Sequence, residues 1–358
     1  MATDPRVQPD GYSAQLDGLR AVSVAAVAYS HWLPAWQGGL PFGAGVHLFF
    51  VLSGFLITRI LLALRAAPQR GAAVARFYAR RALRLFPAFY LVLGLAWLTD
   101  VPLVRETWPW HAAYLSNVRI AAEARWLGHV SHFWSLAVEE QFYLVWPWLI
   151  VWSPRPWLGP LLGAALLAGP LARLAAGSAG LTEPFWALVP AGSADSLAVG
   201  AFVAWTAWRS RQPVAGALAP WPGGGVTAVA GLVWSLLALA DGLGLRVPLA
   251  LAVWRQVLQG VVFAWLVRRA VVGFKGGAGR LLAHHWTIYV GRISYGLYLI
   301  HAFAPLVFEA GLRAAGLDGH IPRQPLFRAL AAAATTLLLA SAMWRLVEAP
   351  CQRLKRRL

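Results

Sequence analysis

Apolar runs of about 17 to 25 residues, the length that crosses a bilayer core as a helix, recur along the chain with short polar segments between them. They fall near residues 18–36, 44–64, 83–99, 135–153, 157–176, 190–209, 225–244, 249–270, 289–311 and 326–347. The pattern predicts an all-α integral membrane protein built as a bundle of about ten transmembrane helices, because a chain in lipid must satisfy its backbone groups internally. The third run is the weakest.

The basic residues alternate between connections. Arg65, Arg70, Arg76, Arg80, Arg81 and Arg84 follow the second run, Arg209 and Arg211 the sixth, Arg268, Arg269, Lys275 and Arg280 the eighth, and Arg353, Lys355, Arg356 and Arg357 the tenth. Under the positive-inside rule both termini are then cytoplasmic. The opposite connections carry acids instead: Asp100, Glu106, Glu183, Asp241 and Asp318. The longest of these, near 100–134, holds Trp108, Trp110 and Trp126 and reads as an interfacial segment rather than another crossing. A Trp221-Pro-Gly-Gly-Gly225 loop separates the sixth and seventh runs.

Composition agrees with this reading. The 358 residues are 59% hydrophobic and 13% charged, which leaves too little polar surface for a water-soluble globule. A formal net charge of +17 raises nucleic acid as a partner, but the basic residues lie between apolar runs and form no nucleic-acid module, so membrane lipids with anionic headgroups are the expected counterpart. Cys351 is the sole cysteine, which excludes an intrachain disulfide and a cysteine-ligated metal cluster. The polar N-terminus lacks the order of a cleaved signal, so the first span is expected to remain. A single transmembrane domain, 1–358, accounts for the chain.

Ionisable residues inside a membrane are costly and mark candidate function. Arg20 and His31, eleven residues apart, share one helical face with about 16 Å of axial distance between them. With the N-terminus inside, Arg20 can meet a phosphorylated donor while His31 accepts a proton further up; an interfacial anchor plus a backbone-bonded histidine is the alternative. Arg80 and Arg84 stand at i and i+4 with Arg81 beside them, a cluster suited to phosphates or to ordinary interfacial anchoring. Ser135, Glu139 and Tyr143 recur every four residues, and Glu139 can orient and charge-stabilise a histidine. Ser53-Gly54 suits close helix packing. Ser294, Tyr298 and His301 align in the ninth run, and His301 is a second intramembrane imidazole. Asp195 caps a helix or faces a partner in the sixth run. His284-His285 reads as a solvated turn, and no metal site is expected.

Together these segments resemble the acyltransferase-3 family of bacterial membrane O-acyltransferases over nearly the whole chain. The family's Arg-x10-His falls on Arg20 and His31, its Ser-Gly-Phe on Ser53 to Phe55, and its Arg-Arg-x-x-Arg-x-x-Pro on Arg80, Arg81, Arg84 and Pro87. Its Trp-Ser-Leu-x-x-Glu-x-x-Phe-Tyr falls on Trp134, Ser135, Leu136, Glu139, Phe142 and Tyr143. The Ser-Tyr and Tyr-Leu-x-His elements fall on Ser294, Tyr295, Tyr298, Leu299 and His301, and the closing Val-Glu-x-Pro on Val347, Glu348 and Pro350. One position departs: relatives often place an Arg two residues before Asp195, where this chain has Ser193. No hydrolase-like SGNH domain follows the tenth run.

The resemblance implies transfer of an acyl group, commonly acetyl, from acyl-CoA to a hydroxyl of a carbohydrate or glycosylated small molecule in the bacterial cytoplasmic membrane. It assigns His31 as general base or acyl carrier with Glu139 assisting, and Arg20, Arg80, Arg81 and Arg84 to the donor phosphates. Asp17, Ser53, Trp134, Ser135, Tyr143, Tyr295 and His301 are supporting or substrate-facing. Acyl-CoA is donor substrate rather than bound cofactor. The rival reading is a transporter for an anionic or glycan-linked solute, although no internal repeat is visible.

Overall fold

The computed structural model of the chain describes residues 13–37, 42–210, 224–317 and 324–355. Arg211, the Trp221 end of the glycine-rich loop, Asp318, Arg356 and Arg357 lie outside the described residues. The described elements are helices without a strand. In chain order they are α1 (Ala14–Trp32), α2 (Gly45–Leu64), α3 (Arg70–Leu98), α4 (Val104–Ala112), α5 (Ser116–Glu123), α6 (Phe133–Trp152), α7 (Leu158–Ser178), α8 (Ala194–Arg209) and α9 (Gly224–Gly242). There follow α10 (Leu249–Ala252), α11 (Arg255–Val272), α12 (Gly276–Leu282), α13 (His285–Arg292), α14 (Ser294–Ile300), α15 (Ala304–Ala314), α16 (Pro325–Met343) and α17 (Ala349–Leu354).

Six of these segments are long and apolar enough to cross a membrane, and seven if α14 and α15, bent by 65°, count as one. The chain is a multi-pass membrane protein. Three of the predicted runs fall short of that measure for a physical reason. α1 carries Asp17, Arg20 and His31, α6 carries Glu139, Glu140 and Gln141, and α8 has only 16 residues.

Several boundaries depart from expectation. α1 starts four residues before the predicted span because the Ser13 hydroxyl caps it, accepting from the Gln15 amide at 3.3 Å. It stops at Trp32, two residues before Pro34, which disfavours helical backbone in its predecessor. His31 therefore sits in the last turn rather than deep in the span. The stretch expected as a basic connection before residue 83 is the first half of α3, a 29-residue helix about 44 Å long. The ninth run breaks at His301, and the segment near 100–134 folds into the short α4 and α5 without crossing.

Small residues let the helix backbones touch. A Cβ on Gly54 of α2 would overlap the Leu197 carbonyl oxygen of α8, and one on Gly200 would overlap the Val51 carbonyl oxygen. The same device seats α1: a Cβ on Gly18 would strike the Leu282 carbonyl, and one on Gly291 the Asp17 carbonyl. Such pairs replace the hydrophobic drive that is missing between helices in lipid.

Asp195 is not a simple cap. It takes a bidentate pair from Arg173 of α7 (Nη1 to Oδ1 3.0 Å, Nη2 to Oδ2 2.9 Å), both side chains being fully buried. Arg173 also donates to the carbonyls of Gly192 (2.6 Å) and Val253 (3.0 Å from Nε). Asp195 on α8 thus receives its guanidinium from another helix, α7.

Gly54→Ala should lower the melting temperature in detergent through a rigid backbone clash of about 1–3 kcal/mol. Gly94→Ala in α3, where nothing lies within 4 Å, should be neutral or slightly stabilising. An equal melting temperature for Gly54→Ala and wild type would refute the close α2–α8 crossing.

Candidate active site

Two cavities lie end to end along α1. The first is lined by Arg20 of α1, Ser53 of α2, Arg81 and Arg84 of α3, Ser135 and Glu139 of α6, and Ser294, Tyr295 and Tyr298 of α14. It encloses about 80 Å³. Three guanidiniums face one carboxylate across it, so the lining carries net positive charge. Glu139 accepts from the Ser53 hydroxyl at 2.7 Å. The Arg81 guanidinium stands 3.6 Å from the Tyr143 ring centroid, in cation–π geometry. Tyr295 donates to the Leu85 carbonyl at 2.9 Å and ties α14 to α3. Asp17, 2% exposed, lies 3.5 Å from Arg20 and 3.8 Å from Arg292 and anchors the guanidinium entrance.

The second cavity encloses about 580 Å³ and is lined by His31 and Trp32 of α1, Trp126, His129, His132 and Trp134 from the α5–α6 region, and Tyr298 and Ala302. Its lining contains no Asp, Glu, Lys or Arg. Val46 and Tyr298 line both cavities. Tyr298 is held by its hydroxyl, 2.6 Å from the Ser135 hydroxyl and donating to the His132 carbonyl at 3.1 Å.

The break between α14 and α15 frees backbone carbonyls that a continuous helix would have bonded. Side chains around the second cavity take them up. Trp32 Nε1 donates to the His301 carbonyl (3.0 Å), His129 Nδ1 to that of Ala302 (2.9 Å), and His132 Nε2 to that of Leu299 (3.2 Å). His301 Nδ1 lies 2.7 Å from the Tyr298 carbonyl.

These contacts set the imidazole tautomers. A carbonyl only accepts, so His301 carries its proton on Nδ1 and, when neutral, offers Nε2 as an acceptor. His31 Nδ1 is 3.0 Å from that Nε2 and 3.1 Å from the Val27 carbonyl, two acceptors that both require a proton on His31 Nδ1. The lone pair of His31 is thereby left on Nε2, on an exposed ring that lines the cavity.

Four expectations need correction. Arg80 is exposed and does not line the cavity; an i to i+4 pair spans about 40° of helix, and it is Arg81 and Arg84 that turn inward. Glu139 bonds Ser53 and lines the first cavity, whereas the partner of His31 is His301, so Glu139 does not orient His31. His31 is an accessible ring at a helix end, not a buried one. Trp126, expected only as part of an interfacial segment, lines the second cavity.

Ser53, Ser135 and Tyr295 line the first cavity and Trp134 the second. Sequence reasoning missed Trp32, His129, His132 and Tyr298 as cavity residues, although Tyr298 stands inside a quoted motif. It also missed the chemistry of Glu348, buried in a π-turn (Trp344–Glu348) against Gly296, and of Lys355. Burial, with Arg84, Arg81 and Arg80 nearby, holds the Lys355 ammonium down to about 8. Among the described residues no group of three or more His, Cys, Asp or Glu is disposed to hold a metal ion.

The chain is similar to named proteins over part of its length. It is 35% identical over 185 residues to the peptidoglycan O-acetyltransferase OatA of Listeria monocytogenes, covering 44% of this chain and 28% of that protein. It is 35% identical over 168 residues to the putative peptidoglycan O-acetyltransferase YrhL of Bacillus subtilis, covering 41% and 25%. A putative O-acetyltransferase of Staphylococcus aureus strain MSSA476 is 37% identical over 155 residues, covering 39% and 25%. The matches thus span about a quarter of the length of these relatives. No solved structure matches. A family profile described as an acyltransferase domain matches residues 13–345, almost all of the helical bundle. The chain belongs to the acyltransferase-3 family.

Proposed function

We propose that the protein is an O-acyltransferase that moves an acyl group, commonly acetyl, from acyl-CoA to a hydroxyl of a carbohydrate or glycosylated acceptor. The observation that carries this reading is the meeting of a guanidinium-lined cavity and a histidine-lined cavity at Val46 and Tyr298. Ten crossings with both termini cytoplasmic, in a bacterial cytoplasmic membrane, would put the arginines on the donor side. The count follows if α1, α6, α8 and the bent α14–α15 pair cross along with the six apolar segments. Membership of an acyltransferase family disfavours the transporter reading.

In this reading the donor phosphates stay at Arg20, Arg81 and Arg84, where guanidiniums bind phosphate oxygens in pairs. The pantetheine arm extends from these phosphates into the first cavity. The arm passes Val46 and Tyr298 and brings the thioester to His31, about 16 Å along α1 from Arg20. His31 Nε2 takes the proton of the acceptor hydroxyl, the oxygen attacks the thioester carbonyl, and the C–S bond breaks. The leaving thiolate takes back the proton that His31 accepted, so CoA departs as the free thiol and the imidazole is again neutral. Attack by His31 itself, giving an acyl-histidine that the acceptor then opens, uses the same lone pair. Glu139, held by Ser53, supplies counter-charge among the guanidiniums. Trp32, Trp126 and Trp134 give the acceptor apolar faces on which a sugar ring packs. The names of the relatives point to peptidoglycan as the first acceptor to try.

His31→Ala should retain acetyl-CoA binding while transfer from labelled acetyl-CoA to soluble glycan fragments in proteoliposomes falls by 10²–10⁴-fold, the usual share of a general base. Wild-type turnover would remove His31 from the chemistry. His301→Gln, whose side-chain oxygen can accept from His31 Nδ1, should keep most of the rate; His301→Leu should reduce it at least tenfold and alter the pH profile. Equal rates for the two variants would show that His301 does not hold the tautomer. Tyr298→Ala should widen the neck, so that hydrolysis of acetyl-CoA without acceptor rises above the wild-type background. Unchanged hydrolysis, with the variant folded, would place the acyl path elsewhere.

A further inference from the structure

The end of the bundle where α6 runs into α7 carries a third cavity, separate from the other two, of about 640 Å³. Its lining is Arg155, Pro156, Gly159 and Pro160 at the start of α7, and Trp205, Trp208 and Arg209 at the end of α8. None of these residues lines the donor or the acceptor cavity.

The cations of this cavity are fixed without acids. Arg155 stands 5.8 Å from the Trp208 ring centroid and Arg209 5.4 Å from that of Trp205. A third guanidinium, Arg65, faces Trp208 at 6.0 Å but is already spent at the end of α6, where it donates to the Ile150 carbonyl and to that of Ser153 (2.8 Å). Neither Arg155 nor Arg209 has a carboxylate within ion-pair distance among the described residues, and the sequence from 211 to 223 contains no Asp or Glu. Two oriented guanidiniums beside a cavity with no counter-charge define an anion site.

The surroundings say which anion. Trp152 and Trp157 are exposed nearby, with Trp148 stacked on Trp152 at 4.8 Å, the aromatic character of a bilayer interface. One wall is cationic and the rest is indole and proline. That division matches a phosphodiester joined to glycerol and acyl chains better than a free inorganic ion, which would gain nothing from the apolar wall.

We propose that this cavity binds the headgroup of an anionic phospholipid, its phosphate between Arg155 and Arg209 and its glycerol region against Trp205 and Trp208. The site is independent of acyl transfer. It ties α8, which packs on α2, to the lipid leaflet on the arginine side of the bundle.

Native mass spectrometry of the whole protein can test this, with dioleoylphosphatidylglycerol, dioleoylphosphatidylcholine and inorganic phosphate as separate probes. Wild type should retain phosphatidylglycerol in preference to phosphatidylcholine. The Arg155→Gln/Arg209→Gln double variant should bind phosphatidylglycerol about twenty-fivefold more weakly, two charges each worth about fivefold at a membrane surface. The double lysine variant should restore most of the binding, and separates loss of charge from loss of fold. Equal retention of both lipids by wild type, or unchanged affinity in the double glutamine variant, would overturn the proposal. Phosphate displacing the lipid at equal concentration would assign the site to a soluble anion instead.

Discussion

Everything at the candidate active site depends on one broken helix. Where α14 stops at Ile300 and the chain turns by 65° into α15, carbonyls near the end of α14 lose their helical partners. An unsatisfied carbonyl in a membrane domain costs several kcal/mol, so the break persists only because donors reach it from three directions. Trp32 comes from α1, His129 and His132 from the segment before α6, and His301 from the break itself. Trp32, His129 and His132 also line the larger cavity. Satisfying the backbone and building a histidine-lined chamber are one event.

The break also carries information across the site. The Tyr298 carbonyl fixes the proton on His301, His301 fixes the proton on His31, and the lone pair that remains faces the cavity. The side chain of Tyr298 meanwhile stands with Val46 between the two chambers. A single residue therefore sets a tautomer through its backbone and lines both chambers with its side chain. Charge is divided by the same wall: guanidiniums and a carboxylate on one side, imidazoles and indoles on the other.

Polar groups are placed in this bundle with partners, not in isolation. Arg173 and Asp195 occupy a fully buried bidentate pair. Removing one partner of such a pair usually costs about 3–5 kcal/mol because the other charge is left behind. Near the guanidinium cavity the balance differs, with Arg20, Arg81 and Arg84 outnumbering Glu139. That excess suits a ligand that brings its own negative charge.

Much was legible in the chain itself. Runs of apolar residues announced the helices, and the spacing of Arg20 and His31 put both on one stripe of α1, because helical periodicity is a local property. The motifs around Ser53, Trp134, Ser135 and Tyr295 identified the helices that meet at the cavities for the same reason. Tertiary structure alone decided the rest. Arg80 and Arg81 look interchangeable in a basic run, yet only the packing of α3 turns Arg81 inward. Glu139 looks like a partner for any histidine, yet Ser53 on α2 claims it. His301 sits in an apolar run where Pro305, lacking an N–H for the His301 carbonyl, is the local mark of a break, but the side chains of Trp32, His129 and His132 that satisfy its carbonyls come from residues 167 to 269 positions away along the chain. Periodicity tells which way a side chain points from its own helix; only the meeting of helices determines what it finds there.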